Sequence, residues 1–149
     1  MHSARANQID NEQFDEISVF ERNQFPELER DYSSFSEVCA EPNPRFNCHG
    51  MTFGGRRTGI FEAETLQQIL DEDGYEEMPR DQVKPGDVII YYGTDGDFEH
   101  SGIVVKPPNA DNLQVPTVRS KWAKYRELIH LGNRCPYTFS NVKYFRLTK

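Results

Sequence analysis

Asn47-Cys48-His49-Gly50, Lys84-Pro85-Gly86-Asp87-Val88-Ile89-Ile90-Tyr91-Tyr92 and His100-Ser101-Gly102-Ile103-Val104-Val105 are the stretches on which the fold of this chain turns. The first follows Glu41-Pro42-Asn43-Pro44, a loop, because each proline biases its predecessor away from helix. A short apolar segment, 51–53, comes after it, so a helix is expected to open at Cys48. The second is a turn leading into a β-branched and aromatic run, a strand over 88–92. After a further turn, Gly93-Thr94-Asp95-Gly96-Asp97, the third reads as a strand over 101–106 with His100 at its start. A cysteine opening a helix and a histidine opening a strand would let rigid elements hold a thiol nucleophile and its base. A helix N-terminus and a nearby imidazole both favour the thiolate, and the Cys48 N–H could face the oxyanion of a tetrahedral intermediate.

Outward from this centre, residues 1–12 are polar and read as a flexible tail that includes His2. Phe14, Ile17, Phe20 and Phe25 are spaced as one face of an amphipathic helix. Between residues 60 and 73, Ala63, Leu66, Ile69 and Leu70 repeat at helical spacing, and Gly74 is a natural stop. Residues 107–112 read as a loop, 113–119 as a returning strand and 139–147 as a last one. Helices first and an antiparallel meander afterwards predict an α+β domain over 13–149, with N-terminal helices packed on a small antiparallel sheet.

Asn47-Cys48-His49-Gly50, Pro85-Gly86-Asp87-Val88 and His100-Ser101-Gly102-Ile103-Val104 together resemble the papain-like cysteine hydrolases of the NlpC/P60 and CHAP kind. The likeness covers about residues 45–122. Val118-Arg119-Ser120-Lys121-Trp122, Ile129-His130 and Cys135-Pro136-Tyr137 also resemble uncharacterised bacterial proteins allied to that superfamily. The resemblance implies a papain-like fold and a cysteine peptidase or amidase in which His100 takes the Cys48 proton and a thioester forms. Its leading substrate class is the peptide stems of bacterial peptidoglycan, attacked by a toxin or effector. A protease, deamidase or acyltransferase acting on a target protein shares the same thioester, and a catalytically silent module binding a partner such as an immunity protein is the alternative from another class.

The third member, which orients the imidazole, stays open. A hairpin centred near Asn109-Ala110 puts Ser120 across from His100 on the same face of the sheet. The family more often carries His, Asn, Gln or Glu there. His130 could reach the site if Ile129-His130-Leu131 is a turn folding back over it, and a backbone carbonyl is the remaining choice.

The other residues bound the function. The 149 residues carry a net charge of -7, yet residues 101–149 hold nine Lys/Arg against Asp111 and Glu127, so the first hundred carry -14. Either the two halves pair within the fold, or a basic rim draws an anionic substrate. The acidic total and the lack of a binding motif exclude nucleic acid. No apolar run approaches the roughly 20 residues that span a bilayer, and no signal-peptide pattern opens the chain. The expected location is therefore cytoplasmic, or secreted without a signal peptide. Cys39, Cys48 and Cys135 make an odd count that argues against a disulfide framework, although a Cys39–Cys135 bridge would leave Cys48 free. No Cys-x-x-Cys or His-x-x-x-His spacing points to zinc, and no cofactor is expected. His49 reads as structural or as a support to the site, Arg56-Arg57 as a solvated turn or a clamp on a substrate carboxylate, and Trp122 and Tyr125 as packing residues rather than a substrate platform.

Overall fold

The computed structural model describes residues 1–148. Among them are three α-helices, α1 (Val19–Tyr32), α2 (Cys48–Phe53) and α3 (Ala63–Glu72). Seven strands, β1 (Ser36–Ala40), β2 (Tyr75–Met78), β3 (Val88–Tyr92), β4 (Phe98–Lys106), β5 (Thr117–Lys121), β6 (Glu127–Leu131) and β7 (Asn141–Leu147), form one sheet in the order β1-β6-β5-β4-β3-β7-β2. Every pairing is antiparallel. The architecture is α+β. No helix among the described residues is long and apolar enough to cross a membrane.

Alternation along β3 and β4 splits the core in two. Ile89, Tyr91 and Val104 point to one face and meet Val118, Trp122, Leu128 and Tyr144, with Phe25, Leu28 and Tyr32 from α1 packed on them. Val88 and Ile90 point to the other, where Leu70 of α3 and Phe53 of α2 cover them. Each fully buried aliphatic side chain in these clusters contributes about 1.5–3 kcal/mol. The Pro-Gly-Asp turn feeds β3. Gly86 takes φ +93°, a left-handed conformation natural to glycine. The Asp87 carboxylate accepts the Lys84 N–H at 2.8 Å and two Arg146 N–H groups at 2.8 Å. That arginine helps hold Asp87 ionised against its burial. With Lys124–Glu21, Arg126–Glu41 and Lys143–Glu77, it shows basic C-terminal residues meeting the acidic first hundred inside the fold.

Several expectations are corrected. Residues 1–12 fold back onto α3 instead of trailing as a tail: Ile9 is fully buried with Ile60, Leu66 and Ile69, and Ser3 and Asn7 donate to Glu72. The first helix ignores the Phe14–Phe25 spacing. Ser18 and Glu21 form a reciprocal capping box that starts α1 at Val19. Phe14 and Ile17 then precede the helix, and Phe20 is 74 % exposed. The returning strand starts at Thr117, not at 113, because Leu113 and Gln114 take left-handed conformations at φ +57° and +63°. Residues 129–131 are not a turn: they belong to β6. The sequence reading of α3 holds to within three residues, with Gly74 beyond its end at φ +85°.

Candidate active site

Cys48 is the first residue of α2, and three neighbours fix it there. The Asn47 carboxamide caps the helix by accepting the Gly50 N–H at 2.9 Å. The same side chain accepts the Ile60 N–H at 3.1 Å and donates to the Ile60 carbonyl at 2.7 Å, stapling the helix start to the segment that leads into α3. Gly50 permits that closeness, since a Cβ there would stand 1.9 Å from the Thr58 carbonyl oxygen.

The sheet opens where the thiol sits. Val104 exchanges backbone bonds with Gly86 and Asp87 on the β3 side, so by alternation the Ser101 N–H points toward β5. The β4–β5 pairing reaches only Ile103 and Arg119, so the Ser101 N–H lies beyond the ladder, where it favours the Cys48 thiolate. Burial pushes this thiol up to about 11, opposed by the backbone N–H groups of Ser101, His49 and Cys48 and by the Lys121 charge. Cys48 borders a cleft of about 330 Å³. The next residue on α2, His49, uses Nδ1 to bond the Ser101 hydroxyl at 2.7 Å, and burial lowers its imidazole to about 4. It braces α2 to β4, in keeping with a structural role.

His100 points to the opposite face of β4 from Ser101 and is 0 % exposed. Its ring stacks on Tyr137 at 3.9 Å and 12° and lies 5.2 Å from Tyr91. Tyr137 also lines the cleft beside Cys48 and so joins the two candidate groups. Neither His100 ring nitrogen has a hydrogen-bond partner, so no hydrogen bond links thiol and imidazole. Burial, then the nearby His130 and His49, hold its proton affinity well below the usual imidazole range.

Neither expected third residue bonds His100, because Ser120 and His130 bond each other. The Ser120 Oγ to His130 Nε2 distance is 2.6 Å. His130 Nδ1 stands 2.7 Å from the Leu131 carbonyl oxygen, which can only accept, so Nδ1 carries the proton and Nε2 receives the serine hydroxyl. The Trp122 indole N–H in turn donates to Ser120 at 3.1 Å. The register explains the serine. Ile103 faces Arg119 and Val104 faces Val118, so the ladder continued places Ser120 opposite Gly102, two residues from its expected partner. Gly102 allows this approach, since a Cβ would meet Val118 at 2.6 Å and the Arg119 carbonyl at 2.8 Å.

Two contributors carry no sequence signal of their own. Lys121 is fully buried, donates through Nζ to the Asn43 and Ala123 carbonyls, and lies 4.9 Å from the centre of the Phe46 ring. Burial lowers its ammonium to about 7, while the charges of Cys48 and Glu127 act the other way. Nothing in Thr-Val-Arg-Ser-Lys distinguishes this lysine from a solvated one. Tyr137 follows a Cys-Pro pair in a loop, and only the fold reveals its stack. Arg56, by contrast, is an internal clamp: with Arg119 it grips the buried Glu127 carboxylate at 2.6–3.1 Å. All three cysteines are free, so the Cys39–Cys135 bridge is not formed. Among the described residues no three His, Cys, Asp or Glu side chains gather as a metal site. No protein-family model, curated protein or solved structure matches this chain.

Proposed function

We propose that this protein is a papain-like cysteine hydrolase that cleaves amide bonds, with Cys48 as nucleophile and His100 as base. One observation carries the reading: a thiol at a helix start beside a cleft, with Tyr137 joining it to a buried imidazole that has both nitrogens unengaged. A buried polar group without a partner is rare enough to require an explanation. A proton acceptor held in reserve is one.

In the proposed cycle the Cys48 proton passes to His100 as the sulfur attacks the carbonyl carbon. The new oxyanion is met by backbone N–H at the start of α2. Collapse breaks the C–N bond, His100 returns its proton to the departing amine, and a thioester remains. Water then attacks with His100 again as base, releasing a carboxylic acid and the free thiol. Lys121 supports the sulfur anion, since its charge already opposes the upward push of burial. The motif resemblance adds the NlpC/P60 and CHAP branch and, through it, peptide stems as substrate. An amine acceptor in place of water gives acyl transfer by the same thioester.

A second reading, a catalytically silent module of the same fold, has its own support in the resting state: a thiol near 11 and no residue orienting His100. Cys135 supplies the control, since burial also pushes that thiol up to about 11. Iodoacetamide labelling of the full chain from pH 5 to 9, located by mass spectrometry, separates the readings. The hydrolase reading expects Cys48 to react at neutral pH far faster than Cys135, and His100→Ala to remove the advantage. Equal, slow labelling of both thiols would leave the silent module standing.

A further inference from the structure

The wall of the cleft beside Cys48 is aromatic. Phe46 comes from the segment before α2, Phe61 from the one after it, Phe98 from the start of β4 and Tyr137 from the loop over His100. Phe14 closes the rim, its ring edge-to-face with Phe61 at 5.7 Å and 82°. Among the described residues the charges lining the cleft are Glu21, Glu99 and one cation, Lys124. That cation is already engaged, donating to Glu21 at 3.1 Å and lying 4.6 Å from the centre of the Phe14 ring. Lys121 holds two backbone carbonyls, and Arg56 is clamped on Glu127.

An incoming carboxylate would therefore meet aromatic walls and the Glu99 charge, with Lys124 already matched to Glu21. An uncharged ring or branched chain would meet matching surface. The volume, about 330 Å³, lies at the low end of ligand pockets, which run from about 300 to 1,000 Å³. It suits one side-chain-sized group and its amide.

We infer that the site takes an amide bearing one uncharged aromatic or bulky aliphatic group next to the scissile carbonyl, and discriminates against a carboxylate at that position. This rests on the hydrolase reading and narrows its substrate, since an acidic stem-peptide residue would be refused there.

Three alkylating probes test the selectivity: iodoacetamide, N-benzyliodoacetamide and iodoacetate, with labelling rates measured at Cys48 and at the partly exposed Cys39 of the same full chain. Relative to Cys39, Cys48 is expected to favour the benzyl reagent over iodoacetamide by about tenfold, the scale of pocket discrimination between apolar groups, and to disfavour iodoacetate by a similar factor. Phe61→Ala, at a half-exposed position, should bring the benzyl preference toward the Cys39 value. The same reagent ratios at both thiols overturn the substrate class while leaving the nucleophile intact.

A second measurement does not depend on the thiol. Two-dimensional amide NMR of Cys48→Ala, titrated with N-acetylphenylalanine amide and with N-acetylaspartate amide, should shift residues 46–49, 61 and 137 with the first ligand only. Aromatic binding beside an unreactive Cys48 would support the selectivity and refute the hydrolase. Equal shifts from both ligands, or none from either, would refute the selectivity.

Discussion

His100 and His130 lie on the same face of the sheet, separated by β5, and both are buried, yet they are built in opposite ways. His130 has a partner on each nitrogen, Ser120 and the Leu131 carbonyl, and an indole edge from Trp122 at 5.5 Å. His100 has ring contacts above and beside it and nothing at either nitrogen. An unpaired buried polar group costs about 1–3 kcal/mol. The fold bears that cost at the histidine stacked on Tyr137 and avoids it at the other. The comparison assigns the two residues: one is a cross-brace between β5 and β6, the other retains free proton-accepting capacity.

The largest expected effect removes what that capacity would serve. Cys48→Ala should lower amide hydrolysis by about four orders of magnitude or more, with thermal unfolding little changed. His100→Ala should follow at about 10²–10⁴-fold, the usual weight of a general base, measured as kcat/KM on the same substrate. His130→Phe should leave a smaller mark on catalysis but destabilise the protein by about 1–3 kcal/mol in urea denaturation, because the Leu131 carbonyl and Ser120 hydroxyl lose their partner. His100→Phe keeps a ring against Tyr137 and removes two unpaired nitrogens, so it should be neutral or stabilising by about 1 kcal/mol while abolishing activity. If both phenylalanine variants shift stability in the same direction, the contrast between the histidines fails.

Acid provides a test without mutation. His49, His100 and His130 all have proton affinities lowered by burial, His49 to about 4. The unfolded chain binds these protons near the ordinary histidine value, about 6.5, so below it the unfolded state binds more protons than the native one. Stability is complete above that pH and falls as pH drops toward the folded values, by up to about 1.4 kcal/mol per pH unit for each histidine. Denaturation midpoints between pH 7 and 4 measure the slope. His130→Phe should flatten it by one histidine's share.

The elements that sequence revealed are those whose side chains repeat on a buried face. Leu66, Ile69 and Leu70 announced α3, and Val88–Tyr92 announced β3. The sheet's two edges stayed silent because β1 and β2 have no fully buried residue, so no apolar alternation marks them. The Cys48 helix start was legible through its proline loop and the apolar segment after it, and His100 through its strand, which begins at Phe98, two residues earlier than expected of a strand that His100 opens. The residue beside His100 was not. Residues 107–116 carry their own 3₁₀ turn and two left-handed residues, which move the hairpin centre and slide each pairing by two. Ser120 thereby keeps its face and changes its partner. A buried lysine at 121 had no local pattern to announce it, because its burial depends on a loop 78 residues earlier.

The first dozen residues bear on how the protein could be switched by a protease. Glu12 exchanges two backbone bonds with Gly59 at 2.7 and 2.9 Å, and the next residue, Ile60, is the one gripped by the Asn47 side chain that caps α2. Clipping after residue 12 would take away Ile9 and the whole return strap, exposing Ile60, Leu66 and Ile69 and loosening the loop that seats the cysteine. Under the proposed function, limited proteolysis of this segment would therefore act as an off-switch, in the opposite sense to a zymogen, whose N-terminal segment must be cut away before the enzyme can work.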